Sequence, residues 1–269
     1  MLNMIKSIVD YAYNNVPLYR KLYSKKPNID SIEDFKNLPY IRLSDFCANM
    51  TIDSISEVDD IIAVLPAIDN KAIFPFPRLE SADDRDTRYG VFYYLIEQTD
   101  IGEGSTFAVI TDSKHAYFCG EIVNNLLFYK YPTTMLFLRD HTPDEMRQWV
   151  NKLKPDCLLL GTDRMIDNVA EWGVPNLLTI NRYDKNLSDK KMRHYDIYAI
   201  SEISWIAIRT DDSYIYPEEF FYIESDPKDD ILVLTTLENY LQPFIRYKTP
   251  DKVKMLDGNR FQITYIGEH

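Results

Sequence analysis

Glycine is scarce in this chain, at 8 of 269 residues, where an average protein has about 7%. Loops that wrap phosphate groups with backbone amides depend on glycine, because the chain must turn tightly and approach the ligand closely. The low glycine content therefore leaves few places where such a loop can form.

Cysteine is also rare. Three cysteines, Cys47, Cys119 and Cys157, lie far apart, so neither a disulfide framework nor a cysteine-rich metal site is indicated. A cysteine acyl-enzyme would need a base beside Cys119 or Cys157. These two fall in an apolar helix and an apolar strand, which predicts buried structural thiols. The four histidines are scattered and belong to no recognisable nucleophile motif.

No stretch approaches the roughly 20 apolar residues of a membrane span, and the N-terminus lacks the basic-then-apolar layout of a signal peptide. The net charge is -12, which disfavours sequence-independent nucleic-acid binding. At 45% hydrophobic residues the composition is globular. We therefore expect a cytoplasmic protein without nucleic-acid or membrane partners.

The first two thirds of the chain predict helices followed by an α/β pattern. Apolar residues recur at helical spacing over 2–23 until Pro17 interrupts them, and Ser31 begins a short helix that Pro39 ends. From about residue 90, strands alternate with helices of 10–17 residues, which indicates a parallel sheet covered by helices on both faces. The predicted strands are 107–110, 133–138, 157–160 and 177–180.

After Tyr195 the pattern changes to short strands separated by Pro, Asp and Gly turns, which is typical of a β-rich subdomain. The predicted strands are 206–209, 220–224, 231–236, 253–256 and 261–266. The sequence thus predicts a helical entry over 1–50, an α/β subdomain over 51–190 and a β-rich subdomain over 191–269, packed as one compact unit.

Four segments, in this order, resemble the phenylacetate–coenzyme A ligase branch of the adenylate-forming (AMP-binding) superfamily. YAYNNVPLYR, followed by IEDFKNLP, is similar to the family's N-terminal YA..NVPFYR…L.DL..LP. YDIYAISE is similar to DIYGLSE, YPEEF to H..EDHF, and LVLTTL…PFIRYKTPD to LVLTSL…P.IRYRTGD. These segments occupy 11–39, 195–202, 216–220 and 232–251.

The resemblance implies the fold of the family's large domain, a parallel sheet flanked by helices plus a smaller β-rich part. It implies that Tyr198 packs against adenine, that Ser201 reaches a phosphate and that Asp251 accepts hydrogen bonds from ribose hydroxyls. Glu202 would be the catalytic residue and would hold Mg²⁺. ATP or AMP with Mg²⁺ would then be the cofactors. Zinc is not expected, because 203–220 contains no Cys or His.

Each of these residues also has an ordinary structural role open to it. Tyr198 could belong to the core of a sheet, Glu202 could be a solvated surface acid, and Asp251 follows Pro250 as turn residues often do.

The chain departs from the family where phosphates are handled. The family's SSGTTGKP loop should fall between 75 and 95, but FPRLESADDRDTRYG at 76–90 has one glycine, no lysine and four acids. We expect Arg78, Arg85 and Arg88 to pair with acidic neighbours. The glycines of 100–107 precede a strand, whereas a phosphate loop opens a helix, so this segment predicts a plain turn.

The resemblance also implies a small mobile lid domain, and the chain ends at 269 before one would begin, with Glu268 at the place of the hinge arginine. Three functions remain open. The first is a reduced acyl-activating protein that binds a carboxylic acid or acyl-adenylate and works with a carrier protein or partner subunit. The second is a non-catalytic scaffold, and the third is ATP-independent acyl transfer from a thioester. Relatives with this entry helix often pair, which implies a homodimer.

Overall fold

The computed structural model of the protein describes residues 1–48, 55, 63–68, 73–112, 116–138, 141–162, 169–181 and 192–267. The chain divides into two compact units. Unit 1 contains Met1–Val91, Ile200–Ile206 and Tyr216–His269, and unit 2 contains Phe92–Ala199 and Ala207–Ile215. In chain order, unit 2 therefore interrupts unit 1 twice, first at 92–199 and again at 207–215.

The helices are α1 (Leu2–Asn15), α2 (Pro17–Tyr23), α3 (Ile32–Lys36), α4 (Leu43–Ala48), α5 (Ala82–Glu97), α6 (Ala116–Phe128), α7 (Pro143–Leu153) and a 3₁₀ helix at Val169–Trp172. The strands are β1 (Ala63–Ile68), β2 (Ile73–Glu80), β3 (Phe107–Thr111), β4 (Thr133–Phe137), β5 (Cys157–Leu160), β6 (Asn176–Ile180), β7 (Arg193–Ile200), β8 (Ser204–Arg209), β9 (Tyr214–Ile215), β10 (Phe221–Ser225), β11 (Ile231–Thr236), β12 (Tyr247–Met255) and β13 (Arg260–Tyr265). None of the helices in the described part of the chain is long and apolar enough to span a membrane.

The N-terminal helices form where the sequence predicts them. Pro17 separates α1 from α2 and occupies the first turn of α2, where its missing N–H costs nothing. The Ser31 side chain accepts a hydrogen bond from the Asp34 amide, and the Asp34 carboxylate accepts one from the Ser31 amide. This reciprocal capping box begins α3.

In unit 1 the strands pair antiparallel. β1 pairs with β2, and β10, β11, β12 and β13 follow one another across a sheet. The N-terminal helices are tied to the loop that leads into β12. The Tyr19 hydroxyl donates to the carbonyl of Pro243 at 2.6 Å and accepts from the amide of Ile245 at 3.0 Å. The helical entry and most of the β-rich segment therefore belong to one unit, and the units do not coincide with the three sequence segments.

A buried arginine strengthens the same connection. Arg246 donates from Nε to the Glu224 carboxylate at 2.9 Å and from Nη1 to the backbone carbonyls of Lys36 and Leu38. Its guanidinium lies 4.3 Å from the centroid of the Tyr40 ring. A guanidinium has five N–H donors, so one side chain satisfies a carboxylate and two carbonyls at the end of α3.

Unit 2 contains the parallel sheet that the sequence predicts. The strand order is β7-β6-β5-β3-β4, and all of these strands run parallel. The capping box at Thr142 and Glu145 begins α7, with Pro143 in its first turn. Met146 and Val150 of α7 pack on the buried residues of the sheet.

Residues 102–105 form the predicted turn ahead of β3. The Ser105 amide donates to the carbonyl of Gly102 at 3.2 Å, and Gly104 has a φ of 78°. This segment turns the chain into a strand, and it does not open a helix.

The two thiols of unit 2 are buried, as predicted. Cys119 lies in α6 with no exposed surface, and burial raises the pKa of its thiol to about 11. Cys157 lies in β5, and burial raises its pKa further. A thiol must ionise to attack a carbonyl, so neither is an activated nucleophile.

Candidate functional site

Glu202 is a buried residue of unit 1. It lies in the tight turn between β7 and β8, which closes through a hydrogen bond from the Ile203 amide to the Ile200 carbonyl. Its side chain is 3% exposed, and Oε1 accepts a hydrogen bond of 3.0 Å from the hydroxyl of Tyr247. The alternative of a solvated surface acid is therefore wrong.

Ser201 precedes Glu202 in the same turn and is partly buried. Its carbonyl accepts a hydrogen bond of 3.4 Å from Nη1 of Arg78. The end of β2, which carries Arg78, is thereby joined to the turn that carries Glu202.

Asp251 has no exposed surface and lies within β12. Its Oδ1 accepts a hydrogen bond of 2.8 Å from the amide of Gly267, and its own amide donates to the hydroxyl of Thr249 at 3.1 Å. The Gly267 backbone approaches so closely that a Cβ there would lie 2.6 Å from the carbonyl oxygen of Pro250. Asp251 is thus a buried strand residue that tethers the segment after β13.

Tyr198 belongs to unit 2 and is 1% exposed. Its ring lies edge-on to the ring of Tyr214, with centroids 6.1 Å apart. Tyr198 is therefore a core residue of the sheet in unit 2, which is the structural alternative given for it above. Its role toward a nucleotide remains a prediction.

A polar network beside Tyr198 was missed from the sequence. The Asp196 carboxylate accepts hydrogen bonds of 2.5 Å from the hydroxyls of Thr179 and Tyr214. The Thr179 hydroxyl also lies 2.8 Å from Nε2 of His194. Burial, together with the charge of Arg209, lowers the pKa of His194 to about 3. The sequence does carry one sign of this network: His194 and Asp196 are two residues apart in β7, and alternate residues of a strand share a face.

The structure places three of the four predicted site residues in one unit. Ser201, Glu202 and Asp251 belong to unit 1, while Tyr198 belongs to unit 2. Strand β12 links two of them, since Tyr247 at its start contacts Glu202 and Asp251 follows four residues later.

The segment in place of the expected phosphate loop is a strand end followed by a capped helix. The Ser81 amide and hydroxyl donate to Oδ2 of Asp84, at 3.1 and 2.7 Å, and the Asp84 amide donates to the Ser81 hydroxyl. Oδ1 of Asp84 accepts from the amide of Tyr240 at 3.1 Å. Burial raises the pKa of Asp84 despite these hydrogen bonds. The first turn of α5 is therefore occupied by a carboxylate of the chain itself.

Two arginines of this segment form the predicted ion pairs. Arg88 and Glu80 make a two-pronged pair, at 2.7 Å from Nε to Oε1 and 3.2 Å from Nη2 to Oε2. Their side chains are only 11% and 6% exposed. Arg85 pairs with Asp86 at 3.4 Å on the surface.

A small cavity of unit 1 lies between this segment and Glu202. Its free volume is about 30 Å³, enough for one or two water molecules, whereas pockets for small-molecule ligands measure about 300–1,000 Å³. The polar lining residues are Arg78, Glu80, Asp84, Thr87, Arg88, Glu202, Asn239 and Gln242.

These residues do not fit a magnesium triphosphate. Two arginines and three carboxylates line the cavity, and one arginine already binds a carboxylate. Additional negative charge would be repelled there. Across the described residues, no group of three or more His, Cys, Asp or Glu side chains is placed to hold a metal ion.

No protein-family model matches the chain, and no curated protein matches it by sequence. Solved structures do match. A 2-hydroxyisobutyryl-CoA ligase in complex with 2-HIB-AMP and CoA aligns with a TM-score of 0.79 and 15% identity, covering 99% of this chain and 67% of the ligase. A coronafacic acid ligase variant of Pectobacterium brasiliense aligns with a TM-score of 0.56 and 11% identity, covering 87% and 52%.

The chain thus spans about two thirds of the first ligase and half of the second. A long-chain-fatty-acid-CoA ligase from Archaeoglobus fulgidus aligns over 70% of this chain with a TM-score of 0.51 and 9% identity. The fold of this chain is that of the large domain of the adenylate-forming ligases.

Proposed function

We propose that this protein binds an acyl-adenylate, or the carboxylic acid from which one forms, and that by itself it activates acids with ATP poorly or not at all. The observation that carries the proposal is the segment from Arg78 to Arg88. Where the resemblance implies a phosphate loop, this segment forms a strand end, a helix whose start is capped by Ser81 paired with Asp84, and an ion pair between Glu80 and Arg88.

The argument against ATP activation is electrostatic. A triphosphate needs cationic or N–H groups aimed at its oxygens before the reaction begins. Here the amide of Asp84, in the first turn of α5, donates to the Ser81 hydroxyl, the Asp84 carboxylate places negative charge in that turn, and the guanidinium of Arg88 is paired with Glu80. A partner subunit would have to supply the missing positive charge.

The fold and the two buried carboxylates, Glu202 and Asp251, support adenylate binding. The 2-hydroxyisobutyryl-CoA ligase with the same fold is in complex with 2-HIB-AMP and CoA. In this chain Asp251 would accept hydrogen bonds from the ribose hydroxyls and Tyr198 would pack against adenine. Ser201 would face the phosphate, and Glu202 would lie next to it in the same turn. An acyl-adenylate carries less negative charge than ATP and needs less neutralisation.

Binding an acyl-adenylate would give the protein a substrate with a good leaving group. Adenylation lets AMP depart where oxide could not, so a thiol or amine of a carrier protein can attack the acyl carbon. Transfer from a ready-made thioester through Cys119 or Cys157 is disfavoured, because both thiols are buried and burial raises their pKa.

Ligand-induced thermal shifts test the proposal. We expect a saturable rise in melting temperature with acyl-sulfamoyl adenosines, a smaller one with AMP, and none with ATP–Mg²⁺ at equal concentration. Asp251→Asn should abolish the shifts, measured against its own unliganded melting temperature. The matched control is Asp257→Asn, an exposed aspartate in the turn after β12, which should leave them unchanged.

The outcomes separate the alternatives. Absence of a shift with every adenosine compound would refute the proposal and leave the non-catalytic scaffold or ATP-independent acyl transfer as the function. Isotope exchange between pyrophosphate and ATP, catalysed by the chain alone, would contradict the claim of impaired activation.

A further inference from the structure

Strand β4 lies at the edge of the parallel sheet of unit 2, and in the described part of the chain it pairs only with β3. The Phe107 amide donates to the carbonyl of Pro132 at 2.8 Å, so even-numbered residues of this segment direct their backbone groups toward β3. The odd-numbered residues direct theirs away from β3, and these are Thr133, Met135 and Phe137. The strand thus presents a row of N–H and C=O groups that another strand can bind.

Strand β4 lacks the usual protection of a sheet edge. Native sheets protect their edges with lysines, prolines or bulges. The sequence of β4 is TTMLF, with no charge and no proline, and none of its residues is buried. Its register with β3 continues without a bulge from Thr133 to Phe137. We therefore expect another chain to cover this edge.

Exposed apolar side chains flank β4 on the face of the sheet that α6 covers. The Cys119 thiol of α6 shares a hydrogen bond with the Thr111 side chain, and Phe137 lies beside Thr111 in register. Phe137 therefore points to the α6 face. Leu127 and Phe128 are the last residues of α6. Phe137, Leu127 and Phe128 are 42%, 53% and 60% exposed.

Two more exposed apolar side chains, Trp149 and Leu153, flank β4 on the opposite face. Arg147 of α7 donates to the carbonyl of Glu171 at 3.3 Å, which places Arg147 on the flank of α7 toward β5 and β6. Trp149 and Leu153 lie about 200° and 240° around the helix from Arg147, on the flank toward β4. They are 42% and 39% exposed.

The charge of this surface favours a second copy of the chain as the occupant. From Ile122 to Leu138 the sequence has no acidic residue and one lysine, although 42 of the 269 residues are Asp or Glu. Two copies, each with a net charge of -12, repel each other over most of their surface. At β4 the acids are absent, so two copies can approach there without opposed carboxylates.

The exposed area is sufficient for a dimer to form. An aromatic side chain buries about 150–250 Å², so the five exposed side chains offer roughly 400–500 Å² per copy. The strand adds its own surface, and a standard interface needs about 800 Å² per partner.

We propose that two copies of this chain pair through β4, antiparallel, into one continuous sheet. A two-fold axis at Met135 sets this residue opposite its own copy and Thr133 opposite Phe137 of the second copy, so the outward backbone groups bond to each other. The axis is perpendicular to the sheet, and α6 therefore lies beside the second α6. The interface belongs to unit 2, whereas the entry helix shared with relatives that pair belongs to unit 1.

Sedimentation equilibrium of the full chain tests the pairing, and we expect a reversible equilibrium of monomer and dimer. Phe128→Glu adds a carboxylate to each side of the interface and should raise the Kd of the dimer at least about tenfold. The matched control is Tyr265→Glu, at an aromatic residue of unit 1 that is 50% exposed, and it should leave the Kd unchanged. Equal effects of the two variants overturn the proposal. A chain that is monomeric at every concentration also overturns it, and a different protein would then cover β4.

Disulfide cross-linking tests the register with smaller substitutions. Met135→Cys, with Cys47→Ser in the background, sets two thiols opposite each other with Cα atoms about 5.5 Å apart, within the range of a disulfide. Thr134→Cys in the same background is the control, because it is exposed but does not lie opposite its own copy. We expect oxidation to yield a covalent dimer of Met135→Cys alone. Cross-linking of both variants to the same extent, or of neither, contradicts the proposed pairing.

Discussion

The hydroxyl of Tyr247 donates a hydrogen bond of 3.0 Å to Oε1 of Glu202, and both residues are at least 97% buried. The first residue of β12 thus holds the carboxylate in the turn between β7 and β8. The resemblance assigns Glu202 to the nucleotide, and the structure shows which side chain of this protein orients it.

Tyr247→Phe should reduce the free energy of unfolding by about 1–3 kcal/mol, because a buried carboxylate oxygen loses this donor. Urea denaturation measures the loss. The control is Tyr265→Phe, since Tyr265 is 50% exposed and its hydroxyl can bond to water. Equal stability of the two variants would mean that the hydrogen bond contributes nothing to the fold.

Gly161→Ala should be destabilising by about 1–3 kcal/mol, the usual cost of overpacking a core. A Cβ on Gly161 would lie 2.1 Å from Sγ of Cys119. Adding Cys119→Ala should relieve most of the clash, so the two effects should not be additive. Gly120 follows Cys119 in α6, and a Cβ on Gly120 would have no atom within 4 Å. Gly120→Ala should therefore be neutral or stabilising. Thermal or urea unfolding of Gly161→Ala, Cys119→Ala, the double variant and Gly120→Ala tests this pattern.

Stability should depend on pH through His194. Its folded pKa is lowered from 6.5 to about 3, mainly by burial and also by Arg209. Between these values the unfolded chain takes up a proton that the folded chain does not. The free energy of unfolding is therefore unaffected by His194 protonation above about pH 6.5. Below that pH it falls by about 1.4 kcal/mol per pH unit until the pH reaches about 3.

Urea unfolding at several pH values measures this slope. His194→Gln should flatten it, whereas substitution of the exposed His141 should leave it unchanged. An identical slope with and without His194 would show that other groups carry the pH dependence.

Arg246→Met should cost about 3–5 kcal/mol, because Glu224 would remain as a buried carboxylate without its partner. The Arg246 and Glu224 side chains are 4% and 10% exposed. Lys6→Ala removes a pair with Asp30 whose side chains are 42% and 71% exposed, so it should cost less than about 1 kcal/mol. Similar losses in the two variants, measured by chemical denaturation, would contradict the role assigned to Arg246.

The parts of the fold that were predictable depend on local signals. The capping box at Ser31 is set by residues three apart, and the strand at Cys157–Leu160 is a short run of buried apolar residues. Helix starts and buried strands of this kind are encoded in windows of a few residues.

The site depends on pairs that no local window contains. The residues around Glu202 in the sequence do not indicate that it is buried, because its partner Tyr247 lies 45 residues away in the chain. The partners of Asp196, including Tyr214, are likewise distant in sequence. Only the resemblance raised Glu202 and Asp251 above other acids, and the roles that it implies for them at a nucleotide remain proposals.

Arg246 also has a consequence for the order in which the protein can be made. Its contacts with the carbonyls of Lys36 and Leu38 join positions 210 and 208 residues apart. On the ribosome, the N-terminal helices emerge long before this arginine is synthesised, whereas most of unit 2, Phe92–Ala199, is already complete. Non-local contacts close late and slowly. Unit 1, although its first segment precedes unit 2 in the chain, is therefore expected to finish folding last, and its early helices stay incompletely packed until Arg246 has been translated.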